Sequence, residues 1–129
     1  LRALERAADG PARYERLGLE RDRIEAALGD LAQPNVTADR VPHVSSLFVP
    51  GARGDELVAA LDLAGLSVSS GSACSAGSSE PSPALSAMLG DERALGSIRL
   101  SLGDATRPAE VDRAISVLIR LLSARRANP

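Results

Sequence analysis

The sequence contains no lysine and no tryptophan, and it has one cysteine, one histidine, one tyrosine and one phenylalanine among 129 residues. Without lysine, the chain has no side chain that forms a Schiff base with a carbonyl cofactor. A single cysteine forms no internal disulfide, and Cys74 with His43 is too small a set for a cysteine-histidine zinc site. Packing, redox chemistry and nucleophilic chemistry remain open for Cys74.

The net charge is small, and long apolar runs are absent. The formal net charge of -2 gives no basic surface for nucleic acid, and Tyr14 and Phe48 alone do not form a base-stacking platform. No apolar run approaches the length of a membrane span, and the opening LRALERAADG is amphipathic rather than signal-like. We therefore expect a cytoplasmic protein without nucleic-acid or membrane partners. Because Leu1 lies within a helix-like pattern, we interpret the chain as the C-terminal part of a longer protein.

What is present is the composition of one folded domain, with 44% apolar and 25% charged residues. Apolar periodicity predicts helices at 12–31, 55–64, 81–89 and 107–126, with Thr106 as the last N-cap, and strands at 44–50, 66–69 and 97–102. Helices and strands alternate without a repeat. This pattern indicates an α+β or α/β fold, with a small sheet that carries helices on one face.

The stretch SSGSACSAGSSEPS, residues 69–82, surrounds Cys74 with serine, glycine and alanine. A lone cysteine is more often a buried, inert residue, but these neighbours provide no large apolar partner and leave the backbone free to move. We therefore expect an exposed, mobile loop. The nearest charged residue is Glu80, so activation of the thiol requires a cation elsewhere in the fold or a substrate.

The run SIRLSL, residues 97–102, alternates apolar and polar residues and predicts a strand with Ser97, Arg99 and Ser101 on its polar face. Most arginines are solvated on the surface. Arg99 differs because it lies within a strand, where its planar guanidinium is suited to holding a carboxylate through two parallel hydrogen bonds. His43 has no partner in the sequence, and we expect it to be structural or simply exposed.

Two motifs in fixed order carry a resemblance. SSGSACSAGSSEPSPALSAML, followed by GSIRLSLGDATRPAEVDRAI, closely resembles the C-terminal portion of cysteine desulfurases, which are pyridoxal-phosphate enzymes of the aminotransferase class V family. The chain looks like the branch with a long cysteine loop, and the similarity extends from about residue 41 to residue 122.

The resemblance implies a definite architecture. It favours an α+β fold, with the small, mostly antiparallel sheet and one-sided helices of the C-terminal domain of a fold-type I enzyme. Residues 1–129 would form a single small domain that carries the catalytic cysteine loop at about 70–80. The large domain that binds pyridoxal phosphate would be absent from this chain.

The resemblance also implies roles for the matched residues. Cys74 would take the sulfur of L-cysteine as a persulfide while alanine leaves, and Arg99 would bind the substrate carboxylate. A mobile loop suits this role, because the thiol must reach the substrate and later a sulfur-acceptor or scaffold protein, as in iron–sulfur cluster assembly.

Other family features have no match in this chain. The family's cofactor lysine, its ring-stacking histidine and its phosphate-binding residues have no counterpart here, and His43 matches none of them. We therefore expect pyridoxal phosphate to be held by the large domain, no metal, a homodimer at full length, and no activity from this chain alone.

Two alternatives remain open at this stage. The first is a thiol carrier or redox-responsive binding module that uses Cys74 without any cofactor. The second is a class V relative that acts on selenocysteine or another amino acid, which Arg99 would also fit. If the chain is a small domain, it should carry an apolar face for the missing domain.

Overall fold

The computed structural model describes residues 9–70 and 81–127, so Cys74 and most of the predicted cysteine loop lie outside the described residues. In chain order the described elements are helix α1 (Gly10–Leu28), a 3-10 turn (Gly29–Leu31), strands β1 (Gln33–Pro34) and β2 (Val44–Phe48), helix α2 (Gly54–Leu63), strand β3 (Ser69–Ser70), helices α3 (Pro83–Leu89) and α4 (Asp91–Leu95), strand β4 (Ser97–Ser101) and helix α5 (Pro108–Ala127). None of these helices is both long and apolar enough for a membrane span.

The strands form one antiparallel sheet in the order β1-β2-β4-β3. Its centre is the β2–β4 pair, which runs in continuous register from Val44 opposite Ser101 to Phe48 opposite Ser97. β3 pairs with the other edge of β4, where Ser69 lies opposite Arg99. The α+β class and the antiparallel sheet are therefore confirmed.

The long helices α1, α2 and α5 pack against one face of this sheet. Leu47 and Ile98, which are opposite each other in β2 and β4, are almost completely buried on that face. The core is aliphatic throughout and consists of Ile24, Leu28, Ala32, Leu47, Val49, Leu57, Leu61, Ile98, Leu100, Val111, Val117, Leu118 and Leu122. The other face of the sheet is left for residues that alternate with these.

The predicted elements are present, with altered ends. The strand expected at 66–69 is Ser69–Ser70, because only these two residues pair with β4. The prediction that Thr106 is the N-cap of the last helix is wrong, because α5 begins at Pro108 and the residue directly before it is Arg107. The Thr106 hydroxyl instead accepts a hydrogen bond from the Gly103 amide at 2.9 Å. The short elements β1 and α4 were not predicted.

A partly buried ionic contact ties the connection between β1 and β2 to α1. The Arg40 guanidinium donates to both carboxylate oxygens of Glu25 at 2.7 and 2.8 Å, and the Ser45 hydroxyl donates to the same carboxylate at 2.6 Å. The hydrogen bonds to Glu25 raise the pKa of Arg40 above its ordinary value. Because Ser45 faces α1, its neighbour Ser46 lies on the opposite face of the sheet.

Gly54 allows the first turn of α2 to lie directly against β3 and β4. A Cβ at this position would stand 2.4 Å from the Ser97 carbonyl oxygen, 3.1 Å from that of Leu95 and 3.2 Å from the Ser70 side chain. No L side chain fits such a gap without movement of the backbone. The glycine therefore sets how closely α2 approaches the β3–β4 pair, in which β3 directly precedes the Cys74 segment.

Gly54→Ala should lower the free energy of unfolding by about 1–3 kcal/mol, because the added methyl group forces α2 away from the start of β4. Urea denaturation measures this change. Gly10→Ala is the matched control, since nothing lies within 4 Å of a Cβ there. Equal midpoints for the two variants would contradict the packing argument.

Candidate functional site

A row of polar residues crosses the sheet on the face opposite the long helices. Ser46 of β2 and Ser69 of β3 lie on either side of Arg99, each directly opposite it in the antiparallel register. The Asn35 amide donates to the Ser46 carbonyl at 2.8 Å, which extends the β1–β2 pairing by one residue. Because opposed residues in antiparallel strands share a face, the row reads Asn35, Ser46, Arg99, Ser69.

Arg99 occupies the middle of this row. Its side chain is half-buried, while the adjacent Ile98 and Leu100 point into the core. In residues 9–70 and 81–127 no carboxylate, carbonyl or hydroxyl hydrogen-bonds to its guanidinium. A strand thus holds a cation in place, flanked by two small serines, with its N–H donors available to an anion.

Asn35 links three segments at one end of the row. Its side-chain amide donates to the Ser46 hydroxyl at 2.9 Å and to the Ser97 hydroxyl at 2.8 Å. Its side-chain carbonyl accepts from Arg93 Nε at 3.1 Å. Ser97, only 1% exposed, in turn donates to the Arg93 carbonyl at 2.5 Å. Both N–H groups of the Asn35 side-chain amide and its carbonyl oxygen therefore have hydrogen-bond partners in the protein.

Arg93 closes this end of the polar face. Its guanidinium lies 4.9 Å from the centre of the Phe48 ring, a cation–π contact, and it also donates to the Pro34 carbonyl at 3.3 Å. Phe48 lies opposite Ser97 in the β2–β4 register. Helix α4 thus covers the Ser97 end of the face and leaves Arg99 beyond it.

Comparison with curated proteins relates the chain to one class of enzyme. It is 40% identical over 114 residues to a cysteine desulfurase from Cereibacter sphaeroides, which covers 84% of this chain and 30% of that protein. It is 41% identical over 109 residues to an IscS-like cysteine desulfurase from Mycobacterium tuberculosis, covering 80% of this chain and 28% of the relative. The chain is a homologue of the cysteine desulfurases. It spans less than a third of the length of either relative.

Solved structures agree on the fold. A NifS-like protein superposes with a TM-score of 0.76 at 24% identity, over 91% of this chain and 30% of its own. The apo structure of a cysteine desulfurase from Thermococcus onnurineus NA1 gives a TM-score of 0.70 at 23% identity, over 95% of this chain and 29% of its own. No family model matches the chain.

The predicted site residues of this desulfurase homologue are not all placed together. Arg99 lies on the polar face of β4, as its alternation predicted. Cys74 lies outside the described residues. His43 lies away from Arg99, with its ring centre 5.2 Å from that of Tyr14, and its buried Nδ1 has no hydrogen-bond partner in the described part of the chain. Asn35, Ser46 and Arg93 were not predicted as site residues.

An apolar groove of about 310 Å³ opens on the helix side of the sheet, between Leu66, Leu100, Leu102, Val111 and Ala114. It does not include Arg99. The large exposed apolar side chains belong to several elements and are Tyr14, Leu19, Val41, Leu63, Met88 and Ile119. The expected apolar face for a further domain stays a prediction.

Ser97→Ala should destabilise the desulfurase homologue by about 1–3 kcal/mol, because it leaves the Asn35 amide and the Arg93 carbonyl without a buried partner. Chemical denaturation measures the loss. Ser101→Ala is the control, because Ser101 is exposed and lies on the same face of the same strand. A loss as large for Ser101→Ala would show that the Asn35 contacts contribute nothing.

Proposed function

We propose that the full-length protein is a cysteine desulfurase that depends on pyridoxal phosphate and converts L-cysteine to L-alanine, with the sulfur carried on Cys74 as a persulfide. The observation that carries this proposal is the Arg99 guanidinium on the polar sheet face, which has no hydrogen-bond partner among residues 9–70 and 81–127, in a chain that is 40% identical to a cysteine desulfurase over 84% of its length. Since the chain spans less than a third of that relative, the activity is assigned to the complete protein.

Arg99 binds the substrate carboxylate in this proposal. A guanidinium meets a carboxylate through two parallel, charge-assisted hydrogen bonds, which fix both the position and the orientation of an amino acid. The β2–β4 register and the buried neighbours of Arg99 hold the strand in place, so little reorganisation accompanies binding. The small side chains of Ser46 and Ser69 leave room beside the guanidinium.

Cys74 is the sulfur acceptor. It follows Ser70 by four residues, and a chain of that length spans at most about 14 Å. Ser70 pairs with Ile98, next to Arg99, so a connection of this length allows the thiol to reach the carboxylate site. This supports the assignment of both residues to one active site.

The reaction is a transfer of sulfur. The Cys74 thiolate attacks the sulfur of L-cysteine, an S–S bond forms, and the substrate C–S bond breaks. The electron pair of that bond stays on carbon, which takes up a proton to give alanine, while Cys74 retains the sulfur as a persulfide. A sulfur-acceptor or scaffold protein then receives it, and the full-length enzyme is a homodimer.

Pyridoxal phosphate does not fit the residues of this chain. The chain has no lysine for the imine, and among the described residues of the polar face Arg93 is already bonded to Asn35 and Pro34, which leaves Arg99 and small hydroxyls. We propose that a large domain elsewhere in the full-length protein binds this cofactor, which supplies an electron sink when bound. This small domain contributes the thiol and the carboxylate-binding cation.

In the full-length enzyme, Cys74→Ser should abolish persulfide formation and reduce alanine formation at least about a hundredfold, because a hydroxyl does not accept the sulfur. After incubation with L-cysteine and pyridoxal phosphate, mass spectrometry of peptides measures the persulfide on Cys74. Amino-acid analysis measures the alanine formed. Ser75→Ala, the adjacent position, should leave both unchanged. A wild-type enzyme that forms neither product refutes the desulfurase and favours a cofactor-independent thiol carrier.

Arg99→Lys should raise the KM for L-cysteine about tenfold or more, because an ammonium group replaces a two-point contact with a single one. Steady-state kinetics of the full-length enzyme measure the change. Arg120→Lys is the matched control, since Arg120 is exposed on α5. An unchanged KM in Arg99→Lys would place the carboxylate elsewhere.

A further inference from the structure

The Arg99 row contains a second group suited to a carboxylate. Resting on the proposed function, we propose that the Ser46 hydroxyl donates a hydrogen bond to the substrate carboxylate held by Arg99, and that Asn35 is the positioning residue that aims this hydroxyl. Ser46 is the direct cross-strand neighbour of Arg99 and lies on the same face. The carboxylate would then meet one cation and one neutral donor.

The orientation of the Asn35 side chain follows from its partners. Arg93 Nε is only a donor, so the Asn35 atom that faces it at 3.1 Å must be the carbonyl oxygen. The amide NH₂ therefore faces the two serines, at 2.9 Å from Ser46 Oγ and 2.8 Å from Ser97 Oγ. The donor Arg93 Nε therefore fixes which side-chain atom of Asn35 is the oxygen and which is the nitrogen.

That orientation leaves the Ser46 hydrogen available. Because Asn35 donates to Ser46 Oγ, the Ser46 hydroxyl acts there as an acceptor, and its own hydrogen points elsewhere. No acceptor for this hydrogen lies among residues 9–70 and 81–127. The Ser97 hydroxyl also accepts a hydrogen bond from Asn35, but it donates its own hydrogen to the Arg93 carbonyl. Of these two serines, only Ser46 retains a donor for a ligand.

Ser69 provides a natural comparison on the other side of Arg99. It is also directly opposite Arg99, but it is exposed and no described residue holds its hydroxyl. An unheld hydroxyl rotates freely and loses entropy on binding, whereas the Ser46 hydroxyl is already restricted. Ser46 and Ser69 therefore carry the same hydroxyl group and differ in how far the fold restricts its orientation.

The test compares binding of L-alanine and L-alaninamide to the full-length, cofactor-loaded protein by isothermal titration calorimetry. The two ligands differ at the carboxylate alone, so the ratio of their affinities reports the carboxylate contacts. Ser46→Ala should reduce this ratio about tenfold to a hundredfold, the effect of losing one hydrogen bond to a charged group. Ser46→Thr, which keeps the hydroxyl, should preserve the ratio, and Ser69→Ala should leave it unchanged.

Asn35→Asp tests the positioning role. An aspartate cannot donate to Ser46, whose hydroxyl would then donate to the new carboxylate and turn away from the ligand. The ratio should fall as in Ser46→Ala, and the double variant Asn35→Asp with Ser46→Ala should show no further decrease. Additive decreases would mean that Asn35 acts through the fold and would overturn its positioning role.

The remaining outcomes are decisive for the inference. An unchanged ratio in Ser46→Ala, an equal decrease in Ser69→Ala, or a wild-type protein that does not prefer the carboxylate overturns it. Alanine formation from L-cysteine is measured separately on the wild type. If that reaction is absent while the ratio still falls in Ser46→Ala, the desulfurase proposal fails and the carboxylate contact of Ser46 stands.

Discussion

The continuous pairing of β2 with β4 is the constraint on which the rest of the structure depends. Five residue pairs in antiparallel register give the sheet its centre and divide the side chains of both strands between two faces. Leu47 and Ile98 enter the core, while Ser46 and Arg99 lie on the opposite face. A slip of β4 by one residue would turn Arg99 toward the aliphatic core and expose Ile98 and Leu100. The hydrophobic core therefore fixes the position of the polar row.

The polar face is held by a network of hydrogen bonds. Asn35 donates to the half-buried Ser46 hydroxyl and to the buried Ser97 hydroxyl, and Arg93 completes the network from α4. Buried polar groups are tolerated because every member has a partner, and such networks give a single, specific arrangement. Among the described residues, the Arg99 guanidinium on this face has no hydrogen-bond partner, and a half-buried cation of this kind is where an anionic ligand is expected.

The division of labour proposed for the desulfurase follows from the composition of the chain. A sequence with fifteen arginines and no lysine supplies fixed cations with planar hydrogen-bonding geometry, and it supplies no amine nucleophile. In the proposed enzyme, this chain would bind the substrate carboxylate and receive the sulfur, and another part of the protein would hold the cofactor. Homology to cysteine desulfurases over 84% of the chain is consistent with this separation.

Local alternation of apolar and polar residues was enough to predict the strongly periodic helices and strands and the placement of Arg99 on the polar side of its strand, while the choice of α+β over α/β came from the family resemblance. The motifs of the sequence also sufficed to indicate the desulfurase relationship. The sequence did not determine the Asn35 network, because Asn35, Ser46 and Ser97 are brought together only by strand pairing across 11 and 62 residues. In the sequence, Asn35 follows the end of a predicted helix and resembles a helix-terminating residue. Its hydrogen bonds to Ser46 and Ser97 form only because β1 pairs with β2. The start of α5 at Pro108 and the two-residue length of β3 were likewise not predicted, because the ends of elements depend on individual hydrogen bonds and strand pairing that periodicity does not fix.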